Sequence, residues 1–273
     1  MKLNELPRSK LEKIVVPLVV LEDQSFTDAK SVIEYQDEHG TIPKNQIIGT
    51  GTLISNEGIN HIVTCKHVVD EAGNTLFAIM PHRSETRKGS IVMVKEFQDS
   101  LGVSWVLDTA NDLALSAFPI NPELWNVSAI PSSVFCEREK LMEGWDVFYF
   151  GYPAKQIDIE HQPAVRIGMI SLVKHQAKHR FLIDAMAAGG NSGGPVLLRP
   201  MPLSVGNAPP MPLKTPFLGI LSQTLENELE LSPFDRLKYV AGLSIVVSAD
   251  AILELFQMPN FIEHIETTKR NMK

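Results

Sequence analysis

Residues 187–198, "AAGGNSGGPVLL", place four glycines, an asparagine, a serine and a proline directly in front of an apolar run. Glycine loses much conformational entropy on folding, so such a cluster marks either a tight turn or a point where something approaches the main chain closely. The "PVLL" that follows is a poor start to a helix, because Pro195 and the β-prone residues after it favour extended backbone. The stretch therefore reads as a loop entering a buried strand.

Short β-rich runs bounded by turn residues recur on both sides of it: "IVVPLVVL" (14–21), "IIGTGTLI" (47–54), "HIVT" (61–64), "TLFAIM" (75–80), "SIVMVKEF" (90–97) and "LALSAF" (113–118). The pattern continues at "DVFYFGY" (146–152), "AVRIGMISLV" (164–173), "FLIDAM" (181–186), "FLGILSQ" (217–223) and "YVAGLSIVV" (239–247). So many strands with little helix between them imply an all-β barrel or sandwich, with room for two barrels meeting near residues 120–140. A helix is expected only near the end, where Ser248 can cap "ADAILELFQM" with Ile252, Leu255 and Phe256 at helical spacing. Residues 200–216 read as a proline-rich surface loop, 224–236 as an acidic loop and 259–273 as a polar tail.

The 273 residues are 44% hydrophobic and 21% charged, an ordinary globular balance. A net charge of −7 repels phosphate backbones and anionic lipid, so neither nucleic acid nor a membrane is expected as a partner. The apolar run at 14–21 is too short to span a bilayer and lacks a cleavage pattern, which points to a cytoplasmic protein. Cys65 and Cys136 allow at most one bridge and exclude a disulfide framework.

In "GGNSGG" the glycines around Ser192 let a substrate carbonyl approach, and the N–H groups of Gly190 and Ser192 can converge on an oxyanion, worth roughly 3–4 kcal/mol per donor. A hydroxyl nucleophile needs a base, usually a histidine oriented by a carboxylate. His67, after the strand "HIVTC", and Asp112, before the alternating run "LALSAF", sit at strand ends where such side chains can project. His175 and His179 in "HQAKH" have metal-ligand spacing, but no third ligand is evident and a solvated loop is the better reading; no metal or organic cofactor is expected.

These segments resemble those of the chymotrypsin-like serine proteases. "TCKHVV" is similar to the family's segment around its catalytic histidine, "NDLAL" to that around its aspartate and "GNSGGPV" to that around its nucleophile. "LGILSQ" is similar to the strand lining the substrate cleft, which implies that Ser222 supports the aspartate. The resemblance implies two six-stranded antiparallel β-barrels and a C-terminal helix. One barrel over 1–130 would carry His67 and Asp112; the other, over 131–258, would carry Ser192 and the closing helix. Asn191, where secreted members have an aspartate, argues against activation by a freed N-terminus, and "GNSGGP" and "FGYP" look like bacterial intracellular members of the HtrA kind.

By the same resemblance Met186 forms the base of the pocket for the residue before the scissile bond and Thr224 its wall; both are uncharged, so a small or apolar side chain is expected there. The function implied is a serine endopeptidase acting on polypeptides, with a regulatory partner or the substrate itself ordering loop 187–191. Two alternatives stand beside it. One is a catalytically silent protease-like scaffold. The other is an α/β-hydrolase esterase, since "GNSGG" fits G-x-S-x-G with Asp235 or Asp250 and His264 following in order, although it lacks the helix after the serine and the βα units before it.

Overall fold

Alternating apolar residues build two antiparallel assemblies, and the seam between them carries the residues singled out above. The structure is a computed structural model describing residues 12–21, 32–34, 45–83, 89–153, 163–174, 177–199, 215–232 and 235–272. Most of the proline-rich stretch 200–216, together with His175, lies outside the described residues.

The first assembly contains β1 (Val15–Leu21), β2 (Val32–Glu34), β3 (Asn45–Asn56), β4 (Ile59–Cys65), β5 (Phe77–Pro81), β6 (Gly89–Met93), β7 (Val106–Asp108), β8 (Leu113–Ala117) and β9 (Ile130–Pro131). They form one nine-stranded sheet in the order β2-β6-β5-β1-β3-β4-β8-β7, with β9 parallel to β3. The second contains β10 (Asp146–Gly151), β11 (Ala164–Leu172), β12 (Arg180–Asp184), β13 (Pro195–Leu198), β14 (Phe217–Ser232) and β15 (Asp235–Ser248). These close as a six-stranded antiparallel barrel, β13 pairing back onto β10.

The expectation of two closed barrels is met by the second. Among the described residues the first remains an open sheet, because its end strands β2 and β7 are three residues each and offer too few ladder positions to pair with one another. Val147, Tyr149, Ile170, Phe181, Ile183, Leu218 and Val246 fill the barrel. The other face of that barrel, with Phe150, Phe217, Ile220 and Val247, joins Leu53, Ile62 and Leu115 in one continuous core across the seam.

Helices are more numerous than the sequence reading allows. α1 (Lys66–Ala72) follows β4 at once. The predicted strand 90–97 breaks at Met93 into α2 (Val94–Leu101), which buries Val94, Gln98 and Leu101 and ends at Gly102 in the left-handed region, φ 64°. That spacing is helical, and glycine is the residue that tolerates the terminal conformation. The expected helix is α3 (Ala249–Leu255), preceded by Ser248, whose hydroxyl makes no capping bond. The acidic stretch 224–236 is no loop: β14 and β15 run on as a hairpin paired to Ser232↔Asp235.

The tail 259–273 is also corrected. Pro259–Asn271 is a helix, α4, started by its proline and buried along Phe261, His264, Ile265 and Thr268. Those residues recur at three- and four-residue intervals, the spacing of one helical face. His264 Nε2 accepts the Ala117 N–H (2.9 Å) at the end of β8. No helix among the described residues is long and apolar enough to cross a membrane.

Beside His264, His61 is fully buried against Phe256 and Phe261, and neither of its ring nitrogens has a hydrogen-bond partner among the described residues. Burial, helped by His264, pushes its pKa from 6.5 down to about 3. Between those values the unfolded chain binds a proton that the folded chain refuses, so stability rises with pH across this window and is lost as pH falls below 6.5, by about 1.4 kcal/mol per pH unit. His61→Phe should remove about one proton from the pH slope of stability between pH 6.5 and 4, measured by urea unfolding.

Candidate active site

The pairing of β4 with β8 brings His67 and Asp112 together. Cys65 stands opposite Leu113, and the ladder continues one step further as the Lys66 N–H donates to the Asp112 carbonyl (3.0 Å). α1 buries Val68, Val69 and Ala72, which leaves His67, in its first turn, turned to the seam with a side chain 47% exposed. Asp112 sits at φ 58°, a left-handed conformation that aspartate tolerates better than most residues.

Three donors converge on the Asp112 carboxylate. The His67 N–H reaches Oδ1 (3.0 Å), while His67 Nδ1 and the Ser222 hydroxyl both reach Oδ2 (2.8 Å each). Burial pushes the Asp112 pKa up, but the bonds from His67 and Ser222 together outweigh it and hold the group below the usual aspartate value. The same hydrogen bond is the main reason the His67 pKa lies above 6.5, partial burial opposing it and the charges of Asp112, Glu71 and Asp70 adding to it. An ionised carboxylate only accepts, so Nδ1 carries the proton that it donates, and in the neutral ring Nε2 keeps its lone pair.

Ser192 is held by the first sheet. The Thr50 N–H donates to the Ser192 carbonyl (2.8 Å), the Thr50 hydroxyl to the Gly190 carbonyl (2.7 Å) and the Thr52 hydroxyl to the Gly193 carbonyl (2.6 Å), while the Thr64 hydroxyl secures the Thr50 carbonyl (2.9 Å). The glycines permit this approach. A Cβ on Gly193 would lie 2.1 Å from the Thr50 oxygen and one on Gly194 2.0 Å from the Phe150 oxygen, and Gly190 and Gly193 have φ of 88° and 87°. Close approach thus explains the cluster, with a turn included in it. The N–H groups of Gly190 and Ser192 have no acceptor among the described residues.

The Ser192 hydroxyl donates to the Ser222 carbonyl (3.1 Å) and makes no hydrogen bond to His67. Ser222 therefore links the two halves, its hydroxyl on Asp112 and its carbonyl on Ser192.

The segment after β12 is tied down at three successive carbonyls. Ser244 donates to Ala185 (2.9 Å), Tyr149 and Arg166 to Met186 (3.0 and 2.7 Å), and Thr224 to Ala187 (3.2 Å). The Thr224 hydroxyl is thus engaged with the main chain of that segment. Met186 does not close a pocket with its side chain, which is 63% exposed, because extended alternation turns Ala185 and Ala187 inward and Met186 out.

Sequence reasoning missed Thr50, Thr52 and Thr64. Their signal was present as polar residues alternating within the otherwise apolar β3 and β4. Arg166 and Tyr149 carried no such signal.

Cys65 Sγ, the His67 ring and the Asp112 carboxylate offer ligand atoms within 4.8 Å of one another. They make a poor metal site, since His67 and Asp112 are bonded to each other and burial, with the Asp112 charge, pushes the Cys65 thiol pKa well up. His179, read as part of a solvated loop, is instead buried with Nε2 3.1 Å from Glu254.

A profile of the trypsin-like peptidase domain matches residues 49–199. None of the curated proteins matches the sequence significantly. Among solved structures, an inactivated protease paralogue of the scabies mite superposes with a TM-score of 0.54 at 11% identity, covering 91% of this chain and 94% of that one. Human heparin binding protein gives 0.52 at 10% identity over 93% and 94%. The thermostable serine protease AL20 from an extremophilic microorganism gives 0.50 at 10% identity over 90% and 95%. Likeness at these identities shows the shared fold.

Thr50→Val keeps the shape of the side chain and removes the hydroxyl that holds Gly190. It should lower stability by about 1–3 kcal/mol in urea unfolding, since the buried carbonyl loses its partner.

Proposed function

The chain belongs to the trypsin-like peptidase domain family, and from that premise we propose that it is a serine endopeptidase working through Ser192, His67 and Asp112. The observation that carries this reading is the bonding around Asp112, which orients the His67 ring and leaves Nε2 without a hydrogen-bond partner among the described residues. Rotation of the Ser192 side chain away from the Ser222 carbonyl would offer its proton to that nitrogen.

In this mechanism Ser192 Oγ attacks the scissile carbonyl carbon as its proton passes to His67 Nε2, and the oxyanion accepts the Gly190 and Ser192 N–H groups. Collapse breaks the C–N bond, the leaving amine takes the proton from His67, and an ester to Ser192 remains. Water then attacks the ester, giving its proton to the same nitrogen, and the acid product leaves as Ser192 recovers its hydrogen. Asp112 stays ionised throughout and stabilises the imidazolium formed in each step.

A second reading, a silent binding scaffold, draws on the Ser192 hydroxyl being engaged with Ser222 and on one structural neighbour being an inactivated paralogue. On that reading substrate or a regulatory protein would have to redirect the hydroxyl, or nothing does.

Ser192→Ala should lower peptide hydrolysis by about 10⁴-fold or more while leaving the thermal midpoint unchanged; activity surviving the change would refute the assignment. Because only neutral His67 can act as base and its pKa is raised, kcat/KM should fall with acidification through a midpoint above pH 6.5, which a pH profile measures.

A further inference from the structure

Arg166 is a cation bonded to the segment that precedes the Ser192 loop, with no carboxylate paired to it among the described residues. Along β11 the side chains of Val165, Ile167 and Met169 are exposed on one face, so Arg166 lies on the other, in register with Tyr149 of β10. Its Nη1 donates to the Met186 carbonyl (2.7 Å), the acceptor that Tyr149 also uses. That bond and an interaction with the Tyr149 hydroxyl engage part of the guanidinium, which carries five N–H donors. Asp184, two residues before Met186, is exposed at the end of β12 and makes no ion pair with Arg166.

The position matters because of what flanks the nucleophile. Segments 185–187 and 222–224 join where the Thr224 hydroxyl donates to the Ala187 carbonyl (3.2 Å). On the peptidase reading, a peptide whose carbonyl sits at Ser192 lies beside them and its acyl residue's side chain enters between them. Ala185 and Ala187 are small and buried and Met186 points to solvent, so segment 185–187 sends no large side chain inward. We propose that Arg166 reads an acidic side chain there, making this an endopeptidase that cleaves after glutamate or aspartate.

The inference rests on the peptidase reading above and replaces the small or apolar preference read from Met186 and Thr224 alone. A carboxylate arriving beside Met186 meets a fork whose planar geometry matches its own, and among the described residues no carboxylate is paired with that fork. Neutral side chains gain no such bond.

Peptides differing only at the residue before the scissile bond, with Glu, Asp, Gln, Leu, Ala or Lys, test this in the full chain. Glu or Asp should exceed Gln and Leu by at least about tenfold in kcat/KM, in keeping with a charge-assisted bond. Arg166→Gln should abolish that ratio through the acidic substrates, and Arg166→Lys should retain part of it, since a point charge survives without the fork. The Lys variant also covers the case in which Gln perturbs the fold. Leu or Ala favoured over Glu, or an acid preference undiminished in a folded Arg166→Gln variant, overturns the inference and leaves the peptidase reading standing. A protein that cuts none of the peptides overturns both.

Discussion

The backbone of Ser192, Gly193 and Gly194 presses so closely against β3, β4 and β10 that no side-chain carbon fits on either glycine. Everything at the seam depends on this contact. Hydroxyls from Thr50 and Thr52 hold carbonyls of the loop, and Thr64 holds Thr50 in turn. Each such bond contributes only about 1 kcal/mol net, but each buried carbonyl left unpaired would cost more, so the arrangement resists partial change. It also registers the barrel against the sheet, because Thr50 and Thr52 belong to the strand that ladders with β4, from which His67 follows directly.

That registration lets two local arrangements, made in different assemblies, meet at Ser222. From the sheet come His67 and Asp112, brought together by the β4–β8 ladder and by an aspartate in a left-handed conformation. Such a conformation costs on the order of 1–3 kcal/mol and persists where surrounding bonds determine it, as the three donors on Asp112 do here. From the barrel come the Ser192 loop and β14, whose Ser222 touches both Asp112 and Ser192. The charge distribution then follows from bonding: the carboxylate is kept ionised and the imidazole is made more basic.

The residues named for chemistry were legible because each lies in a short local pattern: glycines around Ser192, a histidine after a strand, an aspartate before one. Most strands were legible from alternation for the same reason. What escaped was set by periodicity in polar disguise or by distance. α4 shows a helical face at Phe261, His264, Ile265 and Thr268, but half of that face is polar and so reads as tail. The threonine bonds join residues about 140 positions apart, and Arg166 meets Met186 across 20 residues and two strands. No local pattern encodes either contact; only the closed ladder of the barrel and its packing on the sheet bring them about.

The account stands on Ser192 being a nucleophile activated by His67. Intact-mass measurement after exposure to a fluorophosphonate, with the adduct located by peptide mapping, tests this most directly. The account predicts one adduct, on Ser192, forming faster as pH rises and His67 loses its proton, and absent in His67→Ala. No adduct at any pH, or one on another residue, would contradict it.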